Sequence, residues 1–246
     1  RLFADAWHAG QPVSWIEERG FGDFVRPVEA VPDGRVSQVR LGLTAHTGSF
    51  DMTLFGFAHR VTQPLDLYAT ATDDSLAVLI ADEAFRRAGV GGDLGWRRHA
   101  ERGLYFTAQP TLIRFLNTDA SPEHRRMRAG LPSFFVQGQL GARYLLFQGD
   151  FDLDVALRGR FWTEMRSRML HAPTGLLALP EVDARLFPAS GTLDVVVTAG
   201  IRTATLFLAY ENVLSGTKLL VGNLIVPVYP LPERRLRFGI FWPIFN

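Results

Sequence analysis

Residues 150–162 read D-F-D-L-D-V-A-L-R-G-R-F-W. The odd positions carry Phe151, Leu153, Val155, Leu157 and Phe161, and the even ones include Asp152, Asp154, Arg158 and Arg160. Successive side chains of a strand point to opposite sides, so this strict period of two marks a strand with one oily and one charged face. Such a strand has two possible settings. In a soluble sandwich the oily face meets a core and the polar face meets bulk water. In a membrane barrel the oily face meets lipid and the polar face meets a lumen.

The same alternation recurs outward from this stretch. Strands are expected at 35–44, 50–60, 64–72, 76–82, 89–98, 103–116, 131–147, 149–163, 192–200, 202–211 and 235–245. In 131–147, Phe134, Val136, Leu140, Ala142, Tyr144 and Leu146 oppose Gln137, Gln139 and Arg143. Only Glu83–Ala88 has mild helical character. Residues 1–34, with Trp7, Trp15 and Phe21 among several Gly and Pro, read as an irregular segment with a short strand near Phe24–Ala30.

Composition narrows the classes. The 246 residues suffice for one large domain or two small ones. A net charge of +1 gives no field that calls for nucleic acid. Of the basic residues only Lys218 is a lysine, and arginine pairs with carboxylates in a fixed fork where lysine acts as a point charge. The absence of cysteine removes disulfides, thiolate metal sites and Cys nucleophiles. No apolar run is long enough for a transmembrane helix. The mean hydropathy of +0.07 suits a barrel wall and a soluble globule equally. The chain starts at Arg1 without Met or signal peptide, as a mature chain or a fragment does.

The connections separate the two settings better than the strands do. Ala45–Ser49, Asp73–Ser75, His99–Arg102, Gln148 and Ile201 are short links. They alternate with the longer Glu83–Ala88, Asn117–Gly130, Glu164–Gly191 and Asn212–Arg234, and Val61–Gln63 is the one exception. Outer-membrane barrels have short periplasmic turns and long extracellular loops. A sandwich has no reason to sort its loops this way, although a soluble all-β sandwich stays open as an alternative.

The chain ends L-R-F-G-I-F-W-P-I-F-N, with Leu236, Phe238, Ile240, Trp242 and Ile244 on one face. Before it, Glu211-Asn212-Val213 closes a strand, and Tyr229, Pro230, Pro232, Arg234 or Arg235, Phe238 and Gly239 follow in order. This pattern resembles the C-terminal region of TonB-dependent receptors and of related outer-membrane porins. Glu233 stands where that family usually has Gly. The resemblance covers roughly the last 55 residues and extends more weakly, through strand periodicity alone, to Arg35.

The resemblance implies an all-β, antiparallel transmembrane barrel of about 12 strands, or the C-terminal part of one of about 22 strands. Parity then asks for a further strand within 1–34. Residues 35–246 would be the barrel, located in the outer membrane. The implied function is uptake of a bulky or scarce solute. The implied partners are outer-membrane lipid, lipopolysaccharide, the barrel assembly machinery and a TonB-type energy-coupling protein. Two alternatives stay open: a plugless passive porin, and a structural barrel anchoring surface-complex subunits. Phe238, Trp242 and Phe245 would carry the C-terminal assembly signal.

Gln137, Gln139, Arg143, Asp152, Asp154, Arg158 and Arg160 are the candidates for the lumen face. They form either an electrostatic constriction that selects solutes or a ladder of pairs that stiffens the wall. Trp96, Tyr105, Tyr144, Trp162, Tyr210 and Trp242 are the candidates for aromatic girdles at the membrane interfaces. His124, Arg125, Arg126 and Arg128 fall in a loop that either binds the phosphates of lipopolysaccharide or another anionic ligand or is simply solvated. The six histidines show no metal-binding spacing, and there is no nucleophile motif or phosphate loop. No metal, no cofactor and no enzymatic activity are expected.

Overall fold

The computed structural model describes residues 1–11, 17, 19, 21–26, 34–70, 75–97, 102–116, 121–181, 184–217, 224–226, 229–230 and 233–243. Ten strands build one antiparallel sheet. They are β1 (Leu2–Gly10), β2 (Arg35–Thr47), β3 (Phe50–Val61), β4 (Phe85–Arg97), β5 (Gly103–Phe115), β6 (Phe134–Leu146), β7 (Phe151–Trp162), β8 (Ser190–Ile201), β9 (Ala204–Glu211) and β10 (Arg235–Phe241). Each strand pairs with its neighbours in sequence, and β1 and β10 are the two edges.

Two expected strands are corrected. Leu65–Ala69 and Leu76–Ile80 pair with each other, and the second also pairs in parallel with Val25–Arg26, in a small sheet outside the main one. They alternate like wall strands but have five residues each. A strand that crosses a membrane needs about 9–11. Residues 62–84 therefore form a single long connection, and the exception at Val61–Gln63 disappears. The short links are 48–49, 98–102, 147–150 and 202–203, and the long ones are 11–34, 62–84, 116–133, 163–189 and 212–234. Short and long now alternate without a break, so all short turns lie at one end of the sheet and all long connections at the other.

Two further findings concern local structure. The further strand that parity asks for within residues 1–34 is β1, in a segment whose composition reads as irregular; its residues pair from Leu2↔Leu43 to Gly10↔Arg35. Glu83–Ala88 is not helical; β4 begins at Phe85. The helix α1 instead spans Pro122–Ala129. Ser121 caps it by accepting from the His124 backbone N–H, and Pro122 sits where a missing N–H costs nothing.

The long connections fold onto one another. Val25, Leu76 and Ala178 form one buried cluster, with Leu67 and Met169 against it. Ala81, Phe85, Met127 and Leu179 form a second, with Val61, Phe115 and Leu131 against it. Arg168 grips Asp66 with its two terminal guanidinium nitrogens, at 3.0 and 2.6 Å. The Leu179 N–H donates to the Leu67 carbonyl at 2.6 Å. His124 is fully buried, stacked on Phe85 with ring centroids 6.0 Å apart.

Candidate functional site

Register fixes the two faces of the sheet. On one face Leu43 stands opposite Leu2 and Leu54, Val90 opposite Leu112, and Leu157 opposite Leu140 and Val195. Leu208 there opposes Val197 and Phe238. Apart from the half-buried Val195 and Val197, these side chains are exposed, as is Leu41 on the same face at 59%; Phe238 reaches 78%. A continuous apolar patch across ten strands far exceeds what isolated surface hydrophobics account for.

The other face carries a chain of polar contacts. Asp5 accepts from Arg40 at 2.9 Å, and the same guanidinium lies over the rings of Phe3 and Phe55. Arg87 contacts His59, and Gln109 donates to Asp93 at 2.7 Å. Gln137 donates to Gln109 at 2.5 Å. Arg143 holds Asp152 through two nitrogens, at 2.8 and 2.5 Å, and Tyr105 donates to Asp154 at 2.7 Å. Glu211 accepts from Arg235 and Arg237.

Several aromatics also lie on this face, which a simple alternation rule does not anticipate. Each stands opposite a glycine: Phe3 and Gly42, Phe55 and Gly91, Phe57 and Gly89, Tyr105 and Gly141, Phe207 and Gly239. The ring occupies the space that a Cβ would take; at Gly141 that atom would sit 2.4 Å from the Tyr105 ring. Covering a strand glycine with a cross-strand ring pins register and keeps the face shallow.

The seven polar candidates do share this face, but they divide into two sets. Arg143, Asp152 and Asp154 are bonded to one another or to Tyr105 near the short turns. Arg158 and Arg160 lie nearer the long connections and make no ion pair or hydrogen bond among the described residues. Arg158 stands opposite Gln139 and Asp194, but Asp194 accepts the Asn212 backbone N–H at 2.7 Å. Arg160 stands opposite Gln137 and Thr192. The two arginines therefore open onto a polar cleft of about 330 Å³, bounded also by Thr107, Gln109, Gln137, Gln139 and Asp194. Two guanidinium groups without an ion pair, facing the amides of Gln109, Gln137 and Gln139 and the single carboxylate of Asp194, leave this cleft with net positive charge and many donors, which suits an anionic or oxygen-rich solute.

The aromatic candidates divide too. Trp96, Tyr144 and Trp242 lie on the apolar side near the short turns, and Tyr210 lies on it at the opposite end. Tyr105 and Trp162 are on the polar face instead, Tyr105 bonded to Asp154 and Trp162 only 8% exposed. Position near a strand end suggested a girdle for both, but the parity of their registers places them on the opposite side. Phe238 and Trp242 project from the apolar face at the last strand, and Phe245 lies outside the described residues. No group of three or more His, Cys, Asp or Glu converges as metal ligands, and no helix is long and apolar enough to cross a membrane, among the described residues.

No family model matches this sequence, and no curated relative does. Solved structures do match its fold. The FrpB iron transporter from Neisseria meningitidis (F5-1 variant) superposes with a TM-score of 0.64 at 14% identity, over 97% of this chain and 36% of its own. The copper transporter OprC gives 0.63 at 13%, over 97% and 36%. BauA, the ferric preacinetobactin receptor from Acinetobacter baumannii, gives 0.59 at 13%, over 97% and 33%. This chain spans about a third of the length of these structures. These are TonB-dependent receptors. The fold is that of their barrel region, as the C-terminal pattern of the sequence implies.

Proposed function

We propose that the chain forms part of the wall of an outer-membrane β-barrel transporter similar to TonB-dependent receptors, and that it takes part in uptake of a scarce solute. The carrying observation is the segregation of a polar face from an apolar face across ten strands, the apolar one charged only at its long-connection end (Arg35, Arg60, Arg86 and Arg114), with all short turns at the other end. Backbone groups in lipid must be paired, which the antiparallel ladders achieve for the eight inner strands; β1 and β10 would pair with further strands that complete the barrel. In this reading residues 35–246, with β1 added, belong to the barrel. The apolar face meets lipid, the polar face lines the lumen, the short turns are periplasmic and the folded long connections are extracellular.

Trp96, Tyr144 and Trp242 then form part of the periplasmic girdle, and Phe238 and Trp242 belong to the signal read during barrel assembly. Arg158 and Arg160, beneath the long connections, are the residues of the lumen face that engage solute. Arg143, Asp152 and Asp154 stiffen the wall. The fold neighbours are named as an iron transporter, a ferric preacinetobactin receptor and a copper transporter, so a metal ion or metal complex is the first solute class to test. A TonB-type protein would supply the energy.

The test is uptake of radiolabelled ferric and cupric complexes by cells with and without the protein. Loss of uptake on deletion, and equal loss when the membrane is de-energised, is the expected result. Flux that persists in de-energised cells assigns a passive pore instead. No flux, with stable co-purification of surface proteins, assigns a structural barrel.

A further inference from the structure

Register arranges the cleft beside Arg158 and Arg160 as two rows of side chains on four neighbouring strands. One row runs Thr107, Gln139, Arg158 and Asp194 from β5 to β8, each opposite the next. The other runs Gln109, Gln137, Arg160 and Thr192 on the same strands. Gly138 and Gly159 stand opposite each other between the rows and leave bare backbone as the floor. Both arginines are exposed, and the two guanidinium charges against the one carboxylate of Asp194 leave the cleft a net charge of two minus one, +1.

The spacing of the two arginines limits what they can hold together. Alternate residues of a strand stand about 7 Å apart on one face. One carboxylate fills one guanidinium fork. Two forks on one paired strand therefore match two carboxylates separated by a short carbon chain. The phosphoryl groups of a diphosphate share an oxygen and lie too close together for one each per fork. The neighbouring amides are held ready. Gln109 donates to Asp93 at 2.7 Å, and its carbonyl accepts from Gln137 at 2.5 Å. An ionised carboxylate only accepts, so this relay fixes the direction of both amides. Gln139 and Thr192 make no side-chain hydrogen bond among the described residues, so their donors also face the cleft unspent.

We infer that this cleft binds a small polycarboxylate, free or as the oxygen shell of a metal complex, with one carboxylate on Arg158 and a second on Arg160. Its volume of about 330 Å³ lies at the low end of the roughly 300–1,000 Å³ of small-molecule sites, which suits a compact polyacid. The inference rests on the proposed role of these arginines in engaging solute. It narrows that solute from metal complexes in general to those whose ligands are carboxylates.

The test is isothermal titration calorimetry on the full-length protein, purified from its native membrane in non-ionic detergent. The probes are citrate, ferric citrate, acetate, pyrophosphate and the cationic ferrioxamine B. Citrate and ferric citrate should bind at least tenfold more tightly than acetate, which fills one fork only. Ferrioxamine B should not bind. Arg158→Gln and Arg160→Gln should each weaken citrate about tenfold. Arg143→Leu should leave it unchanged, because that guanidinium is already held by Asp152. Asp194→Asn keeps an oxygen for the Asn212 backbone N–H and should tighten citrate, which keeps the test decisive if an arginine variant folds poorly. Equal affinity for citrate and acetate overturns the inference, as does tighter binding of pyrophosphate than of citrate, or citrate binding that neither arginine variant changes. Energised uptake of ferrioxamine B without citrate binding also overturns it and leaves the transporter reading intact. Arginine-dependent citrate binding without energised uptake of any metal complex supports this site and sinks the transporter reading instead.

Discussion

The two halves of β7 carry the same kind of charged face and end in different states. Near the short turn, Asp152 and Asp154 are held by Arg143 and Tyr105. Near the long connections, Arg158 and Arg160 face Gln139, Gln137 and an Asp194 that is already engaged by the Asn212 backbone. The alternating pattern is one and the same. What stands opposite decides the role. A charge held by a partner that pairs with it becomes part of the sheet's own bonding, and a charge without an ion pair stays open to the cleft beside it.

The largest effect should come from breaking the distinction between the faces altogether. Leu157→Arg places a charge at mid-strand on the apolar face and should destabilise the folded protein in lipid by about 2–4 kcal/mol. Denaturant titration in liposomes measures this; a loss near zero would mean that Leu157 does not face hydrocarbon. Within the polar face, Arg143→Leu should cost about 1 kcal/mol, because the pair it forms with Asp152 is bidentate but partly solvated. A double-mutant cycle with Asp152→Asn isolates that coupling, and solute uptake should survive it.

Gly141→Ala sharpens the comparison further. Its methyl would displace the Tyr105 ring and should cost roughly 0.5–1.5 kcal/mol through the lost bond to Asp154. Tyr105→Phe should produce a similar loss, and combining the two should add little. Smallest in stability is Arg158→Gln/Arg160→Gln. It should shift unfolding by no more than about 0.5 kcal/mol, while uptake falls. Unchanged uptake would return both arginines to the wall.

Most of the wall was legible because hydrophobic alternation over long segments has one structural solution. The stretch 149–163 gave β7 nearly to the residue, and the pairing of 131–147 beside it followed. Leu65–Ala69 and Leu76–Ile80 misled because alternation records a half-buried strand, not which sheet it joins; their length held the missing information. β1 was hidden because Phe3 and Trp7 fall on its polar side, and Phe3 owes that place to Gly42, remote in sequence. The helix α1 is too short for periodicity to register, although Ser121, Pro122 and Gly130 mark its ends. The division of the charged candidates was not legible at all. It depends on which cross-strand partner each charge meets and whether the two side chains actually pair, as Arg143 and Asp152 do and Arg158 and Asp194 do not.

The natural absence of cysteine allows the direct test. Single cysteines at positions 152 to 158 of β7 can be probed in intact outer membranes with a water-soluble maleimide and, as fluorophore conjugates, with lipid-borne quenchers. The expected result is strict alternation, with positions 153, 155 and 157 quenched from lipid and 152, 154 and 158 labelled from water. Uniform labelling from water along the whole strand would contradict a membrane wall.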